Sequence, residues 1–232
     1  MDAQVADTII RDDIEIDLTA IKLAEEGARA PQLTRLAPHT IVFFEGDEAT
    51  QVYQVVEGAV MLYKLLPDGR RQVVELLSPG DLFGLTVGTY YDCSAETLSN
   101  ARVRGFDRRL CDRSSDLMSL MCRHLQEQLG AMREHAVLLG RKSAMERLAS
   151  FLMRLALGRT IDDADQIILP DSEHVVQLSM TRQEIADYLG LTIETVSRSF
   201  SELRRRGLVS FDRQDKVRIK DLSAMNELTG AL

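Results

Sequence analysis

An α+β chain is predicted, with a jelly-roll-like β-roll first, a long helix next and a winged helix-turn-helix last. Three observations predict it. Short β-rich runs broken by turn residues occupy about residues 33–106. A stripe of apolar residues at steps of four and three follows from Met118 to Leu139. Residues 181–206, TRQEIADYLGLTIETVSRSFSELRRR, then carry the caps and spacing of two short helices around a glycine. These changes of texture divide the chain into an N-terminal extension at 1–30, the β-roll at 31–112, a dimerisation helix at 113–142, the winged helix at 143–225 and a tail at 226–232.

In the β-roll, the runs IVFFEG, VYQVVEG, AVMLYKLL and QVVELL alternate with turns such as Pro67, Asp68, Gly69 and Pro79, Gly80, Asp81. Short strands separated by glycine-containing turns favour closed or two-sheet β architectures. Residues 1–30 are weakly patterned and acidic.

In the long helix, Met118, Cys122, Leu125, Leu129, Met132, Ala136 and Leu139 form an unbroken a/d seam over three heptads. Such a seam is what one coiled-coil helix offers another, so a homodimer is expected, with Cys122 facing its symmetry mate. The alternative is one side of a helix packed on its own domain. A second helix, roughly Ser143–Leu157, and a β-hairpin (QIILP, then VVQLS) lead into the last domain.

There, Thr181 and Glu184 have capping-box spacing. Ile185 and Leu189 recur at helical spacing, and Gly190 suits a left-handed turn. Thr192 caps a second helix whose inner face is Val196, Phe200 and Leu203. On its outer face Glu194, Ser197 and Arg198 stand at i, i+3 and i+4, near the end that enters a major groove in helix-turn-helix proteins. Arginine can bond guanine O6 and N7 together, glutamate can accept from cytosine N4, and serine suits either kind of base edge. Thr181 and Gln183 at the first helix's start, with Arg213 and Lys216 on a strand–turn–strand wing at about 208–219, are expected on phosphates. Residues 181–220 hold nine Lys and Arg against six Asp and Glu. That +3 lobe sits in a chain of net charge −8, leaving −11 elsewhere, and it makes double-stranded DNA the expected partner.

Other classes lack their residues. The N-terminal segment has no apolar core of a secretory signal, and no apolar stretch approaches the roughly 20 residues that span a bilayer. A cytoplasmic protein without membrane contact is expected. Cys93, Cys111 and Cys122 form no CxxC pair, so no zinc site or disulfide framework is indicated. The four histidines, at 39, 124, 135 and 174, leave residues 40–123 without any, which removes a cupin-type metal site. With no nucleophile–base motif and no phosphate-binding loop, an enzyme is not expected.

The order of domains, PGDLFG at 79–84 and RQEIADYLGLT-x-ETVSR at 182–198 together resemble the CRP/FNR superfamily of bacterial transcription regulators. The β-roll is then of the cyclic-nucleotide-binding-domain type. Glu194, Ser197 and Arg198 match the E-x-x-S-R of its FNR/FixK side. The resemblance implies a homodimer on a TTGAT-N4-ATCAA-like palindrome, usually an activator that contacts RNA polymerase. Cyclic-nucleotide-binding members carry a glutamate after the PGDxFG glycine and an arginine–serine pair later. Here Leu85 follows Gly84, and Cys93 stands where the arginine would. Losing that arginine removes a charge-assisted contact worth about 1.5–3 kcal/mol. No cyclic nucleotide is expected. Residues 1–92 contain no cysteine, so the usual four-cysteine iron–sulfur set is not expected either. FGL at 83–85 and SAE at 94–96 resemble FixK-like members with a vestigial pocket, for which no cofactor is expected. Two alternatives stay open: a ligand-gated regulator of the same fold, including haem on His39 or His124, and redox modulation through Cys93.

Overall fold

The computed structural model describes residues 32–111, 115–157, 174–213 and 215–230. The N-terminal extension and the QIILP half of the expected hairpin lie outside the described residues. Two compact units emerge. One takes the chain up to Lys64 and Val74–Gly130, the other Leu65–Val73 and everything from Ala131 onward.

The first unit holds most of the β-roll. Strands β1 (Gln32–Leu36), β2 (Ile41–Phe43), β3 (Gln51–Glu57), β4 (Val60–Leu65), β5 (Arg71–Leu77), β6 (Leu82–Phe83), β7 (Ser94–Thr97) and β8 (Ala101–Asp107) form two four-stranded sheets. Their orders are β1-β8-β3-β6 and β2-β7-β4-β5. Both contribute to one core, in which Val55, Val60, Leu77, Phe83, Ala95 and Val103 are buried. Phe43 and Tyr91 stack in that core at 3.7 Å between ring centres, and Tyr91 Oη donates to the Gln51 carbonyl at 2.7 Å. Gly84, in the PGDLFG turn, has φ +79, and a Cβ there would lie 3.2 Å from the Gln51 carbonyl and from the Tyr91 ring. Only glycine takes that conformation at such close quarters without strain.

A single turn, α1 (Arg108–Cys111), precedes the long helix α2 (Ser115–Arg141). Within the first unit α2 turns Met121 toward Leu82 and Phe106. His124 Nε2 accepts from the Leu82 amide at 2.8 Å, while Gln128 Nε2 donates to the Leu82 carbonyl at 2.9 Å. The helix thereby satisfies both backbone groups of one residue in the short strand β6. Met118, Leu125, Leu129 and Met132, on a different stripe, are 41–54% exposed. Cys122 and Ala136 are exposed as well, and Leu139 is half-buried.

The second unit holds α3 (Ala144–Leu157), β9 (His174–Gln177), α4 (Arg182–Leu189), α5 (Ile193–Arg205), β10 (Val209–Arg213), β11 (Lys216–Ile219) and α6 (Leu222–Glu227). Ser143 and Glu146 start α3 reciprocally: the Ser143 amide donates to Glu146 Oε2 at 2.6 Å and the Glu146 amide to Ser143 Oγ at 3.4 Å. Leu148, Phe151 and Leu152 on α3 are fully buried, as are Ile185, Leu189, Leu203 and Met225. VVQLS supplies β9, and its partner among the described residues is β11, which gives the three-stranded sheet β10-β11-β9. The wing is thus one strand wider than the two runs around Asp212–Lys216 indicate. Among the described residues no helix is long and apolar enough to cross a membrane.

Candidate nucleic-acid interface

The helix-turn-helix is fixed by its caps. Thr181 Oγ1 accepts from the Glu184 amide at 3.2 Å, and Glu184 Oε2 accepts from the Thr181 amide at 2.7 Å. Glu184 is buried, so this box is shielded from water and stronger for it. Gly190 ends α4 in the left-handed conformation, φ 61 and ψ 42, and its amide donates to the Ala186 carbonyl. Thr192 Oγ1 then accepts from the Thr195 amide at 3.3 Å to open α5. Val196, Phe200 and Leu203 are buried on the inner face of α5, joined by Ser199. Ala186 has no exposed surface, which leaves room for α4 and α5 to meet.

The expected base-reading trio stands on the opposite side. Glu194, Ser197 and Arg198 are all exposed. The Glu194 carboxyl is held below the ordinary range by its own amide, by the Thr192 hydroxyl and, less, by Arg198. It is therefore an acceptor at neutral pH. Arg198 Nη2 reaches Thr195 Oγ1 at 3.4 Å, a long bond that leaves most of its donors facing solvent.

Of the expected phosphate contacts, Gln183 is exposed and its amide donates to Asp187 at 2.7 Å. The Thr181 hydroxyl is engaged with Glu184. Arg213 is exposed at the wing tip, paired in register with half-buried Lys216. Arg218, also on the wing, is tied to Asp212 at 2.7 Å.

One residue was missed from the sequence. The Arg182 guanidinium lies over the Phe200 ring at 3.7 Å and 5.5 Å from that of Phe211. It thus clamps α4, α5 and the wing strand β10 together. Burial lowers its pKa, yet no carboxylate pairs with it among the described residues. Arg182, Ser197, Phe200, Ser201, Arg204 and Phe211 line a notch of about 330 Å³. Two guanidinium groups and two hydroxyls around a shallow notch suit a phosphate. The one local signal is an arginine inside the capping box; its two aromatic partners lie far along the chain and no spacing reveals them.

The three arginines that close α5 differ in state. Arg205 makes a two-pronged pair with Glu202, at 2.8 and 2.7 Å, and Arg206 Nε reaches the same carboxylate at 2.8 Å. Those two arginines push the Glu202 carboxyl down to about 2. Arg204 is exposed, with no ion pair among the described residues.

In the β-roll, Cys93 is half-buried against the core, and burial beside Asp92 pushes its thiol up to about 12. His124 has its Nε2 lone pair engaged by Leu82, which removes it as a ready iron ligand. His39 takes a left-handed backbone, φ 59, and its Nδ1 lies 3.4 Å from Glu96.

Comparison with known proteins agrees with this geometry. Residues 33–112 match the cyclic nucleotide-binding domain, and residues 146–228 match the Crp-like helix-turn-helix domain. The chain belongs to the CRP/FNR superfamily, on its FixK-like branch. It is 38% identical over 213 residues to the transcriptional activatory protein AadR of Rhodopseudomonas palustris, covering 89% of this chain and 85% of that one. It is 41% identical over 175 residues to the nitrogen fixation regulation protein FixK of Bradyrhizobium diazoefficiens, covering 73% of this chain and 70% of that one. Among solved structures, FixK2 of Bradyrhizobium japonicum superposes with a TM-score of 0.76 at 33% identity, covering 88% of this chain and all of that one. As a CRP/FNR protein of this branch the chain is a transcription regulator with a helix-turn-helix DNA-binding domain, and its relatives are not enzymes.

Proposed function

We propose that the chain is a transcription activator that binds a TTGAT-N4-ATCAA-like palindrome as a homodimer, in the cytoplasm, with no added effector. The observation that carries this reading is the solvent-facing trio Glu194, Ser197 and Arg198 on the N-terminal end of α5. Arg198 reads guanine, Glu194 accepts from an exocyclic amine, and Ser197 adapts to either. Gln183, Arg213 and Lys216 hold phosphates, together with Arg182 and Arg204. Thr181 sets the α4 N-terminus against the same backbone. The relatives named activators support contact with RNA polymerase.

Dimerisation uses the a/d stripe of α2. Four large apolar side chains exposed on one stripe of a helix whose other stripe is packed are costly unless a partner covers them. The coiled coil then sets two recognition helices about one turn of DNA (~34 Å) apart. Leu129→Asp is expected to give monomers that lose selective binding, seen by sedimentation and anisotropy together. Retained dimers would assign the stripe elsewhere.

Effector independence rests on Leu85 and Cys93 replacing the charged nucleotide contacts. The raised Cys93 thiol favours packing over redox chemistry, because the thiolate is the reactive form. Fluorescence anisotropy of ligand-free protein tests the whole reading, comparing the palindrome with a scrambled duplex at fixed salt. Tight, selective binding is expected. Equal or absent binding would favour a ligand-gated regulator of the same fold.

A further inference from the structure

A cavity of about 570 Å³ lies within the second unit, between the C-terminal half of α2, α3, Tyr188 of α4 and the α6 region. That is the size of pockets that take small molecules, roughly 300–1,000 Å³. Leu138, Phe151 and Met153 give it apolar walls. Among the described residues its charged lining is Arg133, Lys142 and Arg154 against Glu134, a net excess of positive charge.

Two lining residues have the character of ligand-binding groups. His135 stacks on Tyr188 at 4.4 Å, with both ring nitrogens shielded from solvent. Neither nitrogen has a hydrogen-bond partner among the described residues. Buried polar groups nearly always have one, and a neutral imidazole carries one donor and one acceptor. Burial first, and Arg154 second, push its pKa down to about 4, so the ring is neutral in the cell. Arg154 donates through Nη1 to Tyr188 Oη at 2.8 Å and pairs with no carboxylate among the described residues. Its guanidinium lies 5.9 Å from the Tyr188 ring centre, and the remainder of its five donors have no hydrogen-bond partner among the described residues. Lys142, by contrast, donates to Ser150 Oγ at 2.8 Å.

We propose that this cavity binds a small amphipathic carboxylate, its charged head on Arg154 and His135 and its apolar body against Leu138, Phe151 and Met153. A guanidinium takes a carboxylate through two parallel bonds. The His135 ring turns off Tyr188 to give the head a further N–H. Arg133 also lines the cavity but is exposed, so the guanidinium set among the apolar walls is that of Arg154, which matches the single charge of a carboxylate. The site is separate from the β-roll pocket, and its test uses no DNA, so it stands or falls apart from the reading above.

The test is a titration of the full-length protein with 8-anilinonaphthalene-1-sulfonate, an apolar-bodied anion that fluoresces when buried. Octanoate or 1-octanol then competes. One saturable site per chain is expected, with octanoate displacing the probe at least about tenfold better than octanol, the margin a charge-assisted pair supplies. NMR of the four histidine side chains locates it: octanoate should shift His135 and leave His39, His124 and His174 in place. Arg154→Gln should abolish the preference for octanoate. Equal displacement by octanol, or an unmoved His135, would overturn the proposal. Both comparisons use unaltered protein, so they stand even if the variant fails to fold.

Discussion

At the N-terminal end of α5, Glu194 and Arg198 stand one turn apart in solvent, Arg198 with most of its donors facing outward. At the C-terminal end, Arg205 and Arg206 close on Glu202 within 2.8 Å. Both ends are rich in charge, but at the C-terminal end two of the three arginines are paired internally. A count of basic residues credits all three terminal arginines to DNA, while the pairing leaves Arg204 as the one without an internal counter-ion among the described residues. What a helix offers to a polyanion is its uncompensated charge, not its composition.

The largest test of that contrast is Arg198→Ala. Loss of about 1–3 kcal/mol per half-site is expected on the palindrome, with little loss on scrambled DNA. Equal losses on both duplexes would remove Arg198 from base reading. Arg204→Ala comes next. It should weaken all sequences alike and lower the slope of log K against log salt by about 0.9 for each phosphate that the arginine neutralises. Arg205→Ala is the paired control, expected to change affinity by no more than about 0.5 kcal/mol and to leave the slope alone. If it behaved like Arg204→Ala, the two ends would not differ as described. The smallest effect is in pH. The Glu202 carboxyl titrates near about 2 when folded against an ordinary 4.5, so its brace is fully present above the ordinary value and is lost as pH falls through about 2. Carboxyl NMR should find that low midpoint, and DNA affinity between pH 6 and 8 should show no step from this group.

Much of the molecule was legible because its determinants are local. The Thr181–Glu184 box, the Gly190 turn and the Val196, Phe200, Leu203 face each depend on residues within one or two helical turns. The stripe of α2 is also local in its spacing, and all of it but Leu139 is exposed, although spacing alone does not say what covers it. What escaped depends on distant partners. The pairing of β9 with β11 joins segments about forty residues apart, and no period in either reveals it. The stacking of Arg182 on Phe200 and Phe211 depends on how α4 crosses α5. The division of labour among Arg204, Arg205 and Arg206 turns on side-chain reach to a single Glu202, which a charge sum erases. From sequence His124 is a candidate iron ligand, whereas its Nε2 lone pair serves a backbone amide 42 residues earlier.

That last hydrogen bond bears on how any change in the β-roll can travel. His124 and Gln128 grip the two backbone groups of Leu82, one by accepting and one by donating. They do so from positions four apart, one above the other on α2. A shift of the helix along its axis by a single turn, about 5.4 Å, would carry both side chains out of reach at once. The pair therefore works like an indexing pin, fixing the lengthwise position of α2 against β6.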